Sequence, residues 1–428
     1  MTWILAVLMS ASLIGGQYIR HGHEGAGFDF GVYHAAANAL PAAPESLYQW
    51  ADPDTGATAA GAHYLYPPAF AAWLAPLSAL PRNTAFTVWN VLIVGLYGAT
   101  FLVLRRAMAK ARIREFRARA LLSALAVSPI LLIELYFGQV NVLVLFLVVL
   151  ALHARLNGKP ASAGLIIAIA AGVKVLPVVL LFMAMHGKWQ RIAAGFAAGI
   201  LVVIASPWAV LALHQGPVNA AEANWSLHQN YVQDVVLARG AGLDPTLMGG
   251  DRPGNFSFQA VSWRLAEKAA RFVSGNPAFT LDGTARQWWR RAGLAAGIVL
   301  LGLAACMVWL TRHNRAAMPM LWGVLPLAAN LANPTMWVHH LMILMLVLAP
   351  TGSMRRRFPW PAVACVITPW LLVMPYLAWA LPDAGWIGGN SISRIMDWGI
   401  STAFLAATVV AAALLAWHHS RPRIRSDT

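Results

Sequence analysis

The sequence predicts an all-α polytopic membrane protein with about twelve transmembrane helices and external juxtamembrane or re-entrant helices. Three observations carry that reading. Of the 428 residues, 59% are hydrophobic and only 11% are charged, where a soluble protein carries about 25% charge. Apolar runs near the length that crosses a hydrocarbon core of ~30 Å recur along the whole chain. The formal charge of +15 sits in short basic runs between the apolar ones. That is the pattern of cytoplasmic loops and not of a nucleic-acid partner.

In order, the spans read as 2–18, 83–104, 117–136, 140–156, 161–173, 175–187, 191–213, 292–310, 316–332, 338–350, 359–381 and 395–417. Residues 1–16 have no charged leading region and no convincing cleavage site, so they read as a retained span. The pieces at 161–173 and 175–187 are each short for a crossing; together they make a tilted hairpin or one that dips partway. Basic residues set the orientation. Arg105, Arg106, Lys110, Arg112, Arg114, Arg117 and Arg119 form one loop. Further basic turns hold Arg155 and Lys159, Lys188 and Arg191, Arg312 and Arg315, and Arg355 to Arg357, and the tail holds Arg421, Arg423 and Arg425. One topology places all of them in the cytoplasm, with both termini. Segments 19–82 and 214–291 are then external. Pro67 and Pro68 start a short apolar helix, too short to span, that reads as re-entrant or interfacial. The two cysteines, Cys306 and Cys365, lie in apolar runs and form neither a disulfide framework nor a metal motif. The whole chain reads as one integral membrane domain.

Polar residues gather at the external ends of spans, where burial at membrane depth marks a protein interior or a wet cavity. Asp29 follows the first span and is either a helix cap or the chemical centre. Gln139 and Asn141 follow the third span. Lys174, alone in the apolar run 166–185 and three residues before Pro177, is either a snorkelling side chain or a cation for a phosphate at headgroup level. Asn330, Asn333, His339 and His340 form the last cluster. A histidine pair without Asp, Glu or Cys at ligand spacing is a poor metal site; donation to a phosphate or sugar hydroxyl, or packing, are the other roles. Asn255 and Ser257, with Arg264 beyond them, form either an ordinary helix start or a polar edge that meets substrate.

Several of these residues sit in motifs that occur in a fixed order. They are Asp29-Phe30-Gly31-Val32-Tyr33, Tyr64-Leu65-Tyr66-Pro67-Pro68, Gly138-Gln139-Val140-Asn141, Val173-Lys174-Val175-Leu176-Pro177, Asn255-Phe256-Ser257-Phe258-Gln259 and Asn333-Pro334-Thr335-Met336-Trp337-Val338-His339-His340. In this the chain resembles glycosyltransferase family 87, the polyprenol-phosphate-mannose-dependent mannosyltransferases of the GT-C superfamily. The resemblance implies a GT-C fold in a bacterial inner membrane. It implies an inverting hexosyltransferase whose active site faces the periplasm. The donor would be a polyprenyl-phosphate sugar, most simply mannose, and the acceptor a glycolipid or glycan beside membrane lipid, with no nucleic acid. Asp29 would be the general base. Lys174, His339, His340 and Arg264 would meet the donor phosphate, and Tyr33, Tyr66, Gln139, Asn141, Asn255, Ser257 and Asn333 would complete the substrate site. No metal or other cofactor is expected, because protein cations can hold the phosphate. The candidate set contains no second carboxylate, which argues against hydrolysis. Two rival classes remain at the sequence level. One is a transporter or flippase of lipid-linked sugars, which would favour duplicated halves with midplane polar residues. The other is an oligosaccharide ligase using a diphosphate-linked donor, for which the arginines of 214–291 are the relevant feature.

Overall fold

A computed structural model describes residues 27–48, 64–111, 113, 127, 130–237, 257–276, 278–312, 314, 317–333 and 338–351. Among these residues the protein is all-helical, with no strand. They fall into two compact units. The first draws on Met1–Leu104, Leu131–Leu181 and Gln190–Asp244, the second on Arg105–Ile130, Phe182–Trp189 and Pro245–Thr428.

The first unit opens with α1 (Phe28–Ala42), which packs on the short α2 (Pro68–Ser78). Pro67 and Pro68 do start α2, since fixed φ suits a first turn whose N–H groups have no partner. The long α3 (Arg82–Lys110) buries one stripe, Ala85, Phe86, Trp89, Ile93, Tyr97, Thr100 and Leu104. That spacing is a helical face. Its other face is apolar too, yet exposed: Val91 is 69% and Leu102 50% accessible. α4 (130–137) turns at Gly138 into α5 (Asn141–Leu156), which pairs with α6 (Pro160–Val173). Lys174 is extended, a 3₁₀ run covers Leu176–His186, and α7 (Trp189–Gln215) follows. Gly164, Gly195 and Gly199 bring α6 and α7 so close that a Cβ on Gly195 would lie 1.9 Å from the Ala161 carbonyl oxygen. Small residues serve such contacts in lipid-embedded helices. α8 (Pro217–Asn230) runs into a π turn at Tyr231–Leu237.

In the second unit α9 (Phe258–Ser274), α10 (Gly283–Leu310), α11 (Met318–Ala332) and α12 (Leu344–Thr351) pack in sequence. Ser257 and Asp282 cap α9 and α10 by accepting backbone N–H groups. α11 is apolar and buried almost all round, as a central helix is.

Among the described residues three helices, α3, α7 and α10, are long and apolar enough to cross a membrane; α5, α6 and α11 are apolar but shorter. The rest of the expected set of about twelve is not shown. The segment 175–187, read as half of a helical hairpin, is a 3₁₀ run over Leu176–His186. The basic loop expected from 105 begins later, because Arg105, Arg106 and Lys110 continue α3. Arg and Lys are good helix formers, so a helix need not stop where its apolar run does. The first span and those at 359–381 and 395–417 lie outside the described residues.

Candidate functional site

The first unit builds a polar cluster around two glycine turns. Gly27 adopts φ 69°, which begins α1, and its N–H donates to the Tyr136 carbonyl at 2.8 Å. Gly138 adopts φ 74°, and a Cβ there would sit 2.5 Å from Phe30 Cβ. Only glycine fits both the dihedral and the approach. The Trp89 indole N–H donates to the Gly138 carbonyl at 3.1 Å. The start of α1 is thereby clamped to the α4–α5 turn, which places Asp29 beside Gln139.

Asp29 lies in the first turn of α1 but does not cap it; the N-cap is Gly27 and no side chain caps. The Asp29 carboxylate instead accepts from Gln139 Nε2 at 2.6 Å. Gln139 Oε1 accepts from the Tyr33 hydroxyl at 3.3 Å, and the Tyr33 and Tyr66 hydroxyls pair at 2.8 Å. Tyr48 donates to the Tyr66 carbonyl, and Tyr33, Tyr66 and Phe70 stack edge-on or tilted. Burial pushes the Asp29 carboxyl up to about 6, against the lowering effects of the Gln139 hydrogen bond and the Lys174 charge. Burial, and then the negative charge of Asp29, push the Tyr66 hydroxyl up. Tyr66 therefore stays a neutral donor.

A second chain of bonds joins Asn141 to Lys174. Lys174 Nζ donates to Asn141 Oδ1 at 2.9 Å. The Asn141 backbone N–H and Nδ2 donate to the two oxygens of Glu134, at 3.0 and 2.7 Å. Lys174 is thus neither exposed nor snorkelling; it turns inward from the C-cap of α6. Asp29, Tyr33, Tyr66, Gln139, Asn141 and Lys174, named from sequence, all join this cluster.

Glu134 was missed. It is fully buried and is a second carboxylate in the cluster, so the expectation of none is corrected. Its signal was the one used for Lys174, a lone charge in an apolar run. Both of its oxygens accept from Asn141. Arg82 was missed too. Its guanidinium lies against the first turn of α1, 3.4 Å from the Gly27 carbonyl, in the space that Gly31 leaves open.

The remaining candidates belong to the second unit. Ser257 is the helix-start residue of the simpler reading; its Oγ accepts from the Ala260 N–H at 3.2 Å. Arg264 is buried, with Nε donating to the Ala260 carbonyl. Glu267 holds Arg271 and lies 3.7 Å from Arg286, whose guanidinium covers the Trp263 ring. Asn333 ends α11 in extended conformation. His339 and His340 fall in a 3₁₀ turn, Val338–Ile343, and His340 is buried. Asn255 lies outside the described residues. Among the described residues no group of three His, Cys, Asp or Glu is placed to hold a metal.

A family model described as glycosyltransferase family 87 matches residues 64–334. The match covers Tyr66, Gln139, Asn141, Lys174 and Arg264, whereas Asp29, Tyr33, His339 and His340 lie beyond its ends. Neither a curated protein nor a solved structure matches the chain.

Proposed function

The chain belongs to glycosyltransferase family 87 and is a membrane-associated glycosyltransferase, and on that premise we propose that it transfers a sugar, mannose first among the candidates, from a polyprenyl-phosphate donor to a glycolipid or glycan acceptor. Asp29 is the general base in this proposal, and the site faces the periplasm of a bacterial inner membrane. The observation that carries it is one carboxylate held near pKa 6 in the same cluster as an inward-facing lysine. An acceptor hydroxyl gives up its proton as it attacks the anomeric carbon, and a base matched to neutral pH takes it. Charge grows on the departing polyprenyl phosphate, and a preorganised ammonium such as Lys174 stabilises it. Single displacement inverts the anomeric carbon and needs one base. The proposal gives Glu134, whose two oxygens accept from Asn141, no role in the displacement itself. Protein cations suffice for the phosphate, so the reaction as proposed runs without a metal. Arg264, His339 and His340 are further donor-phosphate candidates on the chemistry of their side chains.

The test uses purified protein in detergent, mannosyl-phosphate polyprenol as donor and a glycolipid extract of the source cells as acceptor. Wild type should form a mannosylated lipid. Asp29→Asn should fold, bind donor and lose at least about a hundredfold in rate, the usual contribution of a positioned base. A wild-type rate in Asp29→Asn removes Asp29 from the chemistry. Transfer in micelles also separates an enzyme from a transporter, because micelles have no second compartment.

A further inference from the structure

Among the described residues Lys174 Nζ donates to one side chain, Asn141, and that side chain is itself oriented by another. The Asn141 side-chain amide has two ends, and which end faces Lys174 decides whether the contact attracts or repels. Glu134 settles it. Both Glu134 oxygens accept from Asn141, one from the backbone N–H and the other from Nδ2, so the end of the amide that meets Glu134 is the NH₂. The carbonyl end is then turned to Lys174 Nζ, 2.9 Å away. The Asn141 backbone N–H occupies the second Glu134 oxygen at 3.0 Å. This fixes the carboxylate plane at the first residue of α5, and Glu134 has no solvent exposure through which it could reorient.

We propose that Glu134 is a positioning residue that, by locking the Asn141 amide, aims the Lys174 ammonium at the phosphate of a polyprenyl-phosphate ligand. This rests on the donor class proposed above. An ammonium has three N–H donors. Asn141 takes one, and its fixed direction points the others. The change Glu134→Gln would break the lock, because the NH₂ it introduces can face Asn141 and draw the carbonyl away from Lys174. The Asn141 NH₂ would then meet the ammonium donor to donor. The double change Glu134→Gln with Asn141→Asp restores the polarity. The new amide at position 134 then accepts from the backbone N–H and donates to the new carboxylate at position 141, whose second oxygen accepts from Lys174.

The experiment measures binding of farnesyl phosphate to the full-length protein in detergent by native mass spectrometry, alongside the thermal midpoint. E134Q should weaken binding roughly tenfold, the scale of a charge-assisted hydrogen bond. The swap E134Q/N141D should return it to within about threefold of wild type, and K174M should abolish the difference between wild type and E134Q. A residue that only filled space would show no rescue by the swap. Equal binding by wild type and E134Q overturns the proposal while leaving the donor class standing. Failure of wild type to bind overturns both. If E134Q does not fold, the swap decides. A folded swap protein with near-wild-type binding supports the lock, and one that fails to fold or to bind overturns it.

Discussion

At the residue scale the proposed base, Asp29, is defined by what surrounds it. A solvated aspartate ionises near ~3.9; Asp29 is lifted to about 6 by burial, with Gln139 and Lys174 restraining the rise. Two consequences carry opposite signs. The base works only when ionised, so kcat/KM for the donor should climb about tenfold per pH unit below 6 and level off above it. A profile flat from pH 5 to 8 would exclude Asp29 as the titrating base. Stability goes the other way. The folded pKa lies above the unfolded one, so the native state binds the extra proton between about pH 4 and 6. This group's contribution is greatest below that window and is lost as pH rises through it. Asp29→Asn removes the penalty, and its thermal midpoint at pH 7 should be no lower than wild type.

At the scale of elements, glycines decide which helices meet and how closely. A larger side chain at Gly195 would drive its Cβ onto the Ala161 carbonyl, 1.9 Å away, and force α6 and α7 apart. Overpacking of that kind costs about 1–3 kcal/mol. Gly195→Leu should therefore lower the thermal midpoint in detergent by several degrees, and weaken farnesyl phosphate binding as the end of α6 carries Lys174 away. Gly302→Leu on α10, where nothing lies within 4 Å, is the matched control and should melt like wild type. Equal melting of the two variants would mean that the α6–α7 contact does not depend on close backbone approach. The turn at Gly138 makes the same point for α1: its carbonyl and its missing side chain are both used to seat the Asp29 turn.

Across the whole molecule, the apolar residues that remain exposed are as informative as the buried ones. α3, α7 and α10 each bury a narrow stripe and expose Val91, Leu201 and Val299 at 69%, 69% and 62%. A water-soluble protein does not leave such faces open along helices of this length; hydrocarbon is their natural solvent. The protein should resist alkaline or high-salt extraction and require detergent. The basic runs predict the orientation. The variant Ala278→Cys, at an exposed position, should react with an impermeant maleimide from the outside of spheroplasts. Labelling only after lysis would reverse the topology and move the site to the cytoplasm.

Membrane character, all-α class and most of the polar cluster were legible in the chain itself, because a polar residue at the end of an apolar run, or alone inside one, announces a buried polar group wherever it folds. Asp29, Gln139, Asn141 and Lys174 stood out on that ground. What the chain could not reveal was pairing. That Gln139 rather than a helix terminus takes Asp29, that Asn141 stands between Lys174 and a carboxylate in α4, and that Ser257 Oγ accepts from the Ala260 N–H were decided by tertiary structure. Hydrogen bonds across more than a hundred residues of sequence depend on where helices cross, and those crossings follow from side-chain volume at a few glycines, to which hydrophobic periodicity is blind.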